Sequence, residues 1–407
     1  QPAAGGNERS TAQIVERLAQ RGHAVTVLAT HIDADPVEGV SYVAAERGRS
    51  GSAWGLRRFM RWAEARLDSG EFDVSLSMTL AVAANVVQPR GGTVRETLAR
   101  NIARRPTATQ RCVKRATLAL NTKQWMLLWA EARTLRHPRV KKVVAISRYV
   151  ADQLFHHYTV PSRRIAMIPN AAAITRHDES HRLELRRRVR RRWEIGEDDV
   201  VFFFAAMNPT LKGMGELLRA MRRVVAERPE ARLLVAGSEH FGGFAGARAM
   251  DLSPYVRWVG ITQQIDTLYA AADVTVLPTW YDPSSKVVIE SLMHGVPAIS
   301  TRYNGASQWI ADPAHGEALT SPFPGAHDAS ASEATAQPAG GVITAPDAID
   351  ELATAMIDLC DEGERQRCAA ATADLDDRLT MDCHVDALER TLAEVAQLSR
   401  VAENASA

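Results

Sequence analysis

Short apolar runs alternate with amphipathic segments along this chain in two successive rounds. In the first, residues 5–30, GGNERSTAQIVERLAQRGHAVTVLAT, pass from a glycine pair into a helix with Ile14, Val15 and Leu18 on one face. The chain then turns at Arg21-Gly22 into an apolar strand at 24–28. Further strands are expected at 40–44, 72–77, 142–146 and 164–168, mostly separated by helical stretches. A buried strand normally precedes such a glycine turn, so the first strand of this round is expected to be missing.

Periodicity fades in the polar stretch 168–180, and the second round then begins. It reads as strand 200–206, helix 213–227, strands 231–236 and 255–259, helix 263–272, strand 274–277, helix 286–294 and strand 297–301. This alternation predicts an α/β protein of two doubly wound, Rossmann-like domains. The expected boundaries are 1–172 and 173–382, with an Ala-, Ser-, Pro- and Gly-rich flexible insert at 321–341. A closing helix at 383–407 is expected to pack back toward the first domain. Ligands of doubly wound sheets lie at the carboxyl ends of the strands, so the residues just after strands carry the functional reading.

Composition narrows the class. With 407 residues, 46% hydrophobic and 24% charged, the chain is neither disordered nor fibrous, and its apolar runs are too short to span a bilayer. Cys112, Cys360, Cys368 and Cys383 form no CxxC pair, which fits a reducing compartment. No signal peptide is visible at the start. The overall charge of +1 is unevenly spread: residues 1–200 hold 34 basic and 20 acidic side chains, net +14, leaving −13 for the rest. Between Arg100 and Arg148 there are 13 basic residues and one acid, Glu131, interleaved with Trp125 and Trp129. Such a face suits an anionic membrane or phosphorylated glycolipid, a merely solvated helix, or nucleic acid. The second basic run, 182–196, reads as a solvated helical face.

Four places carry candidate chemistry. Gly5 and Gly6, ahead of the first helix, allow close approach of an anion to backbone amides, as many ordinary turns also do. After strand 200–206, a loop with Asn208 delivers Lys212 to the start of the next helix, where an ammonium suits a diphosphate. In LPTWYDPSSKVVIESLMHGVPAIS (277–300) a loop carries Asp282, and the helix beginning near Ser284, Ser285 and Lys286 brings round Glu290. Paired carboxylates suit vicinal hydroxyls and the helix amides suit phosphate; an N-terminal acid plus an internal ion pair is the plainer alternative. Asn304-Gly305 follows the next strand. No HExxH, P-loop or GxSxG sequence is present.

These segments, with VVAISRYVADQLFHHYTVPSRRIAMIPNAA, LKGMGELLRAM, RLLVAGSE and YAAADVTVLPTWYDPSSKVVIESLMHGVPAIST, resemble glycosyltransferase family four, the retaining enzymes of GT-B fold. Within it they resemble the lipopolysaccharide-core glucosyltransferase branch, and the resemblance covers nearly the whole chain. The resemblance implies that Glu290 binds the ribose of a nucleotide sugar, Asp282 meets the transferred sugar, and Lys212 holds the diphosphate. The Ser284 and Ser285 amides would lie near sugar and pyrophosphate, with the Gly5-Gly6 loop closing over the donor. No metal or other cofactor is implied. Asp282 stands where the family has Glu, Ser285 where Gly is common, and Met207 where many members carry Arg.

Lys212, Asp282 and Glu290 are therefore the expected catalytic set. Gly5, Gly6, Asn208, Ser284, Ser285, Lys286 and Asn304 are the expected donor-binding set, and Arg9, Asn85, Gln88 and Arg95 are acceptor-side candidates. The implied activity is retaining transfer of a hexose from a nucleotide diphosphate sugar to a glycolipid or cell-envelope glycan. It is expected in the cytoplasm, peripheral on the inner face of the cytoplasmic membrane, without nucleic acid. A soluble-acceptor transferase of the sucrose- or trehalose-synthase kind, and a catalytically silent sugar-nucleotide or glycan binder, are the alternatives.

Overall fold

Among the described residues twelve strands form, all paired in parallel. They are β1 (Val25–Ala29), β2 (Val40–Ala44), β3 (Leu76–Ser77), β4 (Val86–Val87), β5 (Lys142–Ala145), β6 (Ile165–Met167), β7 (Val200–Ala206), β8 (Ala231–Gly237), β9 (Val256–Gly260), β10 (Val274–Leu277), β11 (Ala298–Thr301) and β12 (Gly341–Thr344). This computed structural model describes residues 6–32, 35–45, 52–175, 178–238, 243–311 and 340–404. The chain divides into two units, Gln1–Pro169 with Met381–Ala407, and Asn170–Thr380.

In the second unit the strands form one six-stranded sheet in the order β12-β11-β10-β7-β8-β9. The order reverses between β7 and β10, and there a doubly wound sheet opens a crevice at the carboxyl ends of its strands. β7 shows why the sheet is stable. Phe202 and Phe204 enter one apolar cluster with Leu217, Met221 and Trp309, while Val201, Phe203 and Ala205 enter another with Leu268 and Tyr269. A strand covered on both faces reads as a continuous apolar run, which is what VVFFFAA is.

The first unit holds two separate sheets, β1-β2 and β3-β4-β5-β6. The expectation that a first strand is missing concerns residues outside those described. The strand expected at 72–77 is reduced to Leu76–Ser77, because the Asn85 side chain takes the Ser75 N–H at 3.0 Å in place of a ladder partner. The helix Met381–Asn404 belongs to this unit. Its Asp382 accepts from Arg17 at 2.7 Å, its Asp386 and Glu389 both pair with Arg21 at 2.6 Å, and its buried His384 bonds Pro169 O through Nδ1 at 2.6 Å. Most of the expected insert 321–341 lies outside the described residues, and Gly341 opens β12. Among the described residues no helix is long and apolar enough to cross a membrane.

Candidate functional site

The loop after β7 is shaped by a glycine. Gly213 has φ 82°, and a Cβ there would come within 2.1 Å of Pro278 O, so only glycine lets this loop press against the end of β10. Asn208 Oδ1 accepts from Leu211 N–H at 3.2 Å and Asn208 O from Lys212 N–H at 3.2 Å, folding the turn that presents Lys212. The Lys212 ammonium then reaches across the switch point, donating to Asp282 Oδ2 at 2.5 Å and Tyr281 O at 3.1 Å. The pair is mostly buried, with side-chain exposures of 19% and 13%.

The loop after β10 is fastened to the end of β11. Asp282 N–H donates to Tyr303 O at 2.9 Å, and Asp282 O accepts from Gly305 N–H at 2.9 Å. Asp282 Oδ1 accepts from Ser284 N–H at 3.1 Å. Asn304 Oδ1 accepts from Ser285 N–H at 3.1 Å and from Ala306 N–H at 3.0 Å, while its Nδ2 donates to Ser300 Oγ at 2.9 Å. Asn304 therefore acts as a clamp, and the two serine amides expected to face a ligand are engaged inside the loop. The helix Lys286–Met293 starts at Ser285 without its hydroxyl capping the first turn, so the positive end of the helix is left without a side-chain cap. The Ser284 hydroxyl is buried without a hydrogen-bond partner.

Glu290 lies half-buried on that helix. Tyr269 donates its hydroxyl to Glu290 Oε2 at 2.9 Å and to Val287 O at 3.1 Å, which fixes the carboxylate. Burial, reinforced by the Glu290 charge, holds the Tyr269 phenol well above its ordinary range, so it stays a donor. Sequence reasoning missed Tyr269; its only signal was a lone phenol among the apolar residues ahead of β10. Lys212, Asp282, Ser284, Ser285, Asn304 and Asn208 are thus joined by one local hydrogen-bond framework, and Glu290 stands one helix turn beyond Lys286.

The first unit treats its candidates differently. Asn85 Oδ1 accepts from the Ser75 hydroxyl at 2.6 Å as well as from its amide, and Gln88 Nε2 lies 3.1 Å from His384 Nε2 with the side chain fully buried. Arg95 donates to His157 O at 3.0 Å and covers the Tyr158 ring. Arg9 is exposed on the helix Gly6–Gln20, which Gly6 opens, and Gly5 lies outside the described residues. One residue here was not anticipated: Arg90, after β4, is only 4% exposed, and burial pulls its guanidinium down to about 10.

In the basic stretch 100–148, Glu131 turns inward and is fully buried, where desolvation raises its carboxyl even though Tyr158 and the Val94 amide donate to it. Arg100, Arg133, Arg139 and Lys142 pair with Glu96, Glu64, Asp68 and Glu394. The helix Ala108–Ala119 has no buried residue, and beside it Leu120, Trp125 and Trp129 are 84%, 59% and 51% exposed. Two Asp-x-Asp sequences occur, at 33–35 and 374–376; the first is only partly described, and in the second Asp374 pairs with Arg378 at 3.2 Å. Among the described residues no group of three or more His, Cys, Asp or Glu side chains is placed to hold a metal.

Comparison with known proteins bears directly on this arrangement. Residues 198–362 match the profile described as glycosyl transferases group 1, and residues 4–176 match that of glycosyltransferase family 4. The chain belongs to the family four glycosyltransferases. It is 25% identical over 254 residues to a D-inositol 3-phosphate glycosyltransferase of Catenulispora acidiphila, covering 59% of this chain and 57% of that one. An uncharacterized glycosyltransferase of Methanocaldococcus jannaschii is 24% identical over 173 residues, 42% of this chain and 44% of that one. The chain thus aligns with about half the length of these relatives.

Solved structures agree on the GT-B fold. WaaG, a glycosyltransferase involved in lipopolysaccharide biosynthesis, superposes with a TM-score of 0.74 at 16% identity over 96% of both chains. Alr3699/HepE from Anabaena, solved with UDP and glucose, does so with 0.62 at 16% identity over 97% of both.

Proposed function

We propose that this family four member is a retaining hexosyltransferase that uses a nucleoside diphosphate sugar. The observation that carries the reading is the Lys212–Asp282 pair at the reversal point of the sheet, between the β7 and β10 loops, with a helix lacking a side-chain cap beginning four residues further on, at Lys286. In this reading the donor diphosphate lies at the first turn of Lys286–Met293 and draws the Lys212 ammonium from Asp282. The carboxylate of Asp282 is then released to the sugar hydroxyls, and Glu290, held by Tyr269, takes the paired ribose hydroxyls. The Ser284 hydroxyl supplies one further donor or acceptor to the sugar.

As the bond from the anomeric carbon to the phosphate oxygen breaks, charge grows on the diphosphate, and Lys212 and the helix amides stabilise it there. The acceptor oxygen bonds to the anomeric carbon on the same face, and its proton passes to the departing phosphate oxygen. No base from the protein is required.

The acceptor reading is a glycolipid or cell-envelope glycan reached from the cytoplasmic face of the membrane. It is supported by the exposed Leu120, Trp125 and Trp129 beside Arg111, Arg115 and Lys123, on a face whose one acid is buried. Apolar and aromatic side chains among cations are what an anionic lipid surface selects. A panel of nucleoside diphosphates and nucleotide sugars tests the donor: a true donor at 100 times its dissociation constant stabilises the protein by about 2.7 kcal/mol. Proton NMR of the product then reads the anomeric configuration. No thermal stabilisation by any member defeats the donor reading, and an inverted product defeats retention.

A further inference from the structure

The helix Glu179–Arg192 in the second unit lies outside that reading. Seven of its fourteen residues are arginine, and they divide into two sets. Arg186 and Arg190 point inward and anchor the helix: each donates to Asp273 at 2.6 Å, and Arg190 also donates to the carbonyls of Gly196, Glu197 and Asp199. The outward set is exposed Arg182, Arg187, Arg188, Arg191 and Arg192, and none of them forms an ion pair among the described residues, although Glu184 is on the same helix.

Elsewhere in this unit exposed or partly exposed arginines find acids, as in Arg219–Glu216, Arg223–Glu227, Arg367–Glu364 and Arg378–Asp374. Arg187–Arg191 and Arg188–Arg192 are instead like charges one turn apart, an arrangement that weakens a helix. Arg187 and Arg191 also line a cavity of about 250 Å³ with Leu183, Ile195 and Glu197. An abundance of arginine in the composition does not account for a row left unneutralised and held on a rigid base.

We propose that this outward face is a second attachment site, in the donor-candidate unit, for the phosphate headgroups of an anionic lipid surface. Leu183, exposed at the head of the row, adds an apolar contact. The row has no aromatic or amide side chain with which to stack on or read bases, and the neighbouring Trp193 ring is covered by the Arg192 guanidinium at 5.2 Å. These features favour a lipid surface over nucleic acid. The attachment is electrostatic, so salt weakens it more than the aromatic contact proposed for the first unit.

The test uses the full chain and vesicles of phosphatidylcholine with phosphatidylglycerol in equal parts, against phosphatidylcholine alone. R187E/R188E/R191E is expected to partition on the order of a hundredfold more weakly to the anionic vesicles at low salt, each headgroup contact being worth about one power of ten or slightly less. R187Q/R188Q/R191Q should give an intermediate loss, and the difference from the unaltered protein should shrink as salt rises. Circular dichroism and nucleotide-sugar binding should match the unaltered protein, since no altered residue touches the β7 or β10 loops. Equal partitioning of the variants and the unaltered protein overturns the proposal. So does tighter binding of an RNA or DNA oligonucleotide than of the vesicles. If the unaltered protein ignores anionic vesicles altogether, the peripheral-membrane reading falls with it; if it binds and the variants bind equally, only this site falls.

Discussion

The loops after β10 and β11 and the loop around β3 and β4 both carry asparagines that sequence reasoning singled out, yet the two asparagines do unlike things. Asn304 ties one candidate loop to another, holding the amides of Ser285 and Ala306. Asn85 ties a candidate loop to plain scaffold, holding Ser75 in place of a strand ladder. The second unit builds its site on strands of four to seven residues that are buried on both faces, so its polar groups satisfy one another at the strand ends. The first unit has strands of two residues at β3 and β4, and there the Asn85 side chain is consumed in completing the backbone. Rigidity beneath a site thus decides whether its polar residues are available to a ligand or are needed by the fold.

The largest expected effect is at Glu290. In the donor reading Glu290→Ala removes two charge-assisted hydrogen bonds to ribose, each worth about 1.5–3 kcal/mol, so kcat/KM should fall by roughly 10²–10⁴, while Tyr269 keeps Val287 O as an acceptor and the melting temperature changes little. Normal turnover would show that the carboxylate serves only the fold. Lys212→Ala should lower kcat by about 10² and donor affinity far less, as expected of a group that acts on developing charge. An affinity loss with unchanged kcat would assign it to ground-state binding alone.

The asparagines test the contrast directly. Asn304→Ala should cost about 1–3 kcal/mol in stability and also about tenfold in turnover, because it loosens the start of the Glu290 helix. Asn85→Ala should cost a similar amount in stability while turnover per folded molecule stays within about twofold. Denaturant titration beside steady-state kinetics separates the two, and equal kinetic losses would erase the distinction between the units.

The smallest effect is a pH dependence in the first unit. Burial pushes the Asp152 carboxyl up to about 6 against the pull of Arg148, and its Oδ1 is buried without a partner. A raised folded-state pKa means that this group's contribution is fully present below its unfolded value, near 4, and is lost as pH rises through about 6. Asp152→Asn should therefore flatten the stability profile across that window and raise stability at pH 8 by about 1–2 kcal/mol, allowing for partial solvent screening. Urea unfolding at a series of pH values checks the sign; parallel profiles for both proteins would show that the carboxyl is not held neutral.

Much of the second unit was legible in one dimension. Strands buried on both faces are rich in apolar residues, so β7 is readable as a continuous run and β8, β10 and β11 as apolar segments interrupted only by Arg232, Thr275 and Ser300-Thr301. β12 was not readable, since Gly341 closes an Ala-, Ser-, Pro- and Gly-rich stretch and only three residues follow it in the strand. The two-residue β4 carries too few positions to show a period. At the site, the sequence alone placed Lys212, Asp282 and Glu290 after the right strands, because a loop's position along the chain is a one-dimensional fact.

What the tertiary structure decided was pairing. That Lys212 meets Asp282, that Asn304 and not a ligand holds the Ser285 amide, and that Tyr269 fixes Glu290 depend on segments 70, 19 and 21 residues apart. Hydrogen bonds select partners by distance and direction within a few tenths of an ångström. Chain order carries no such information until the sheet has brought the strand ends together.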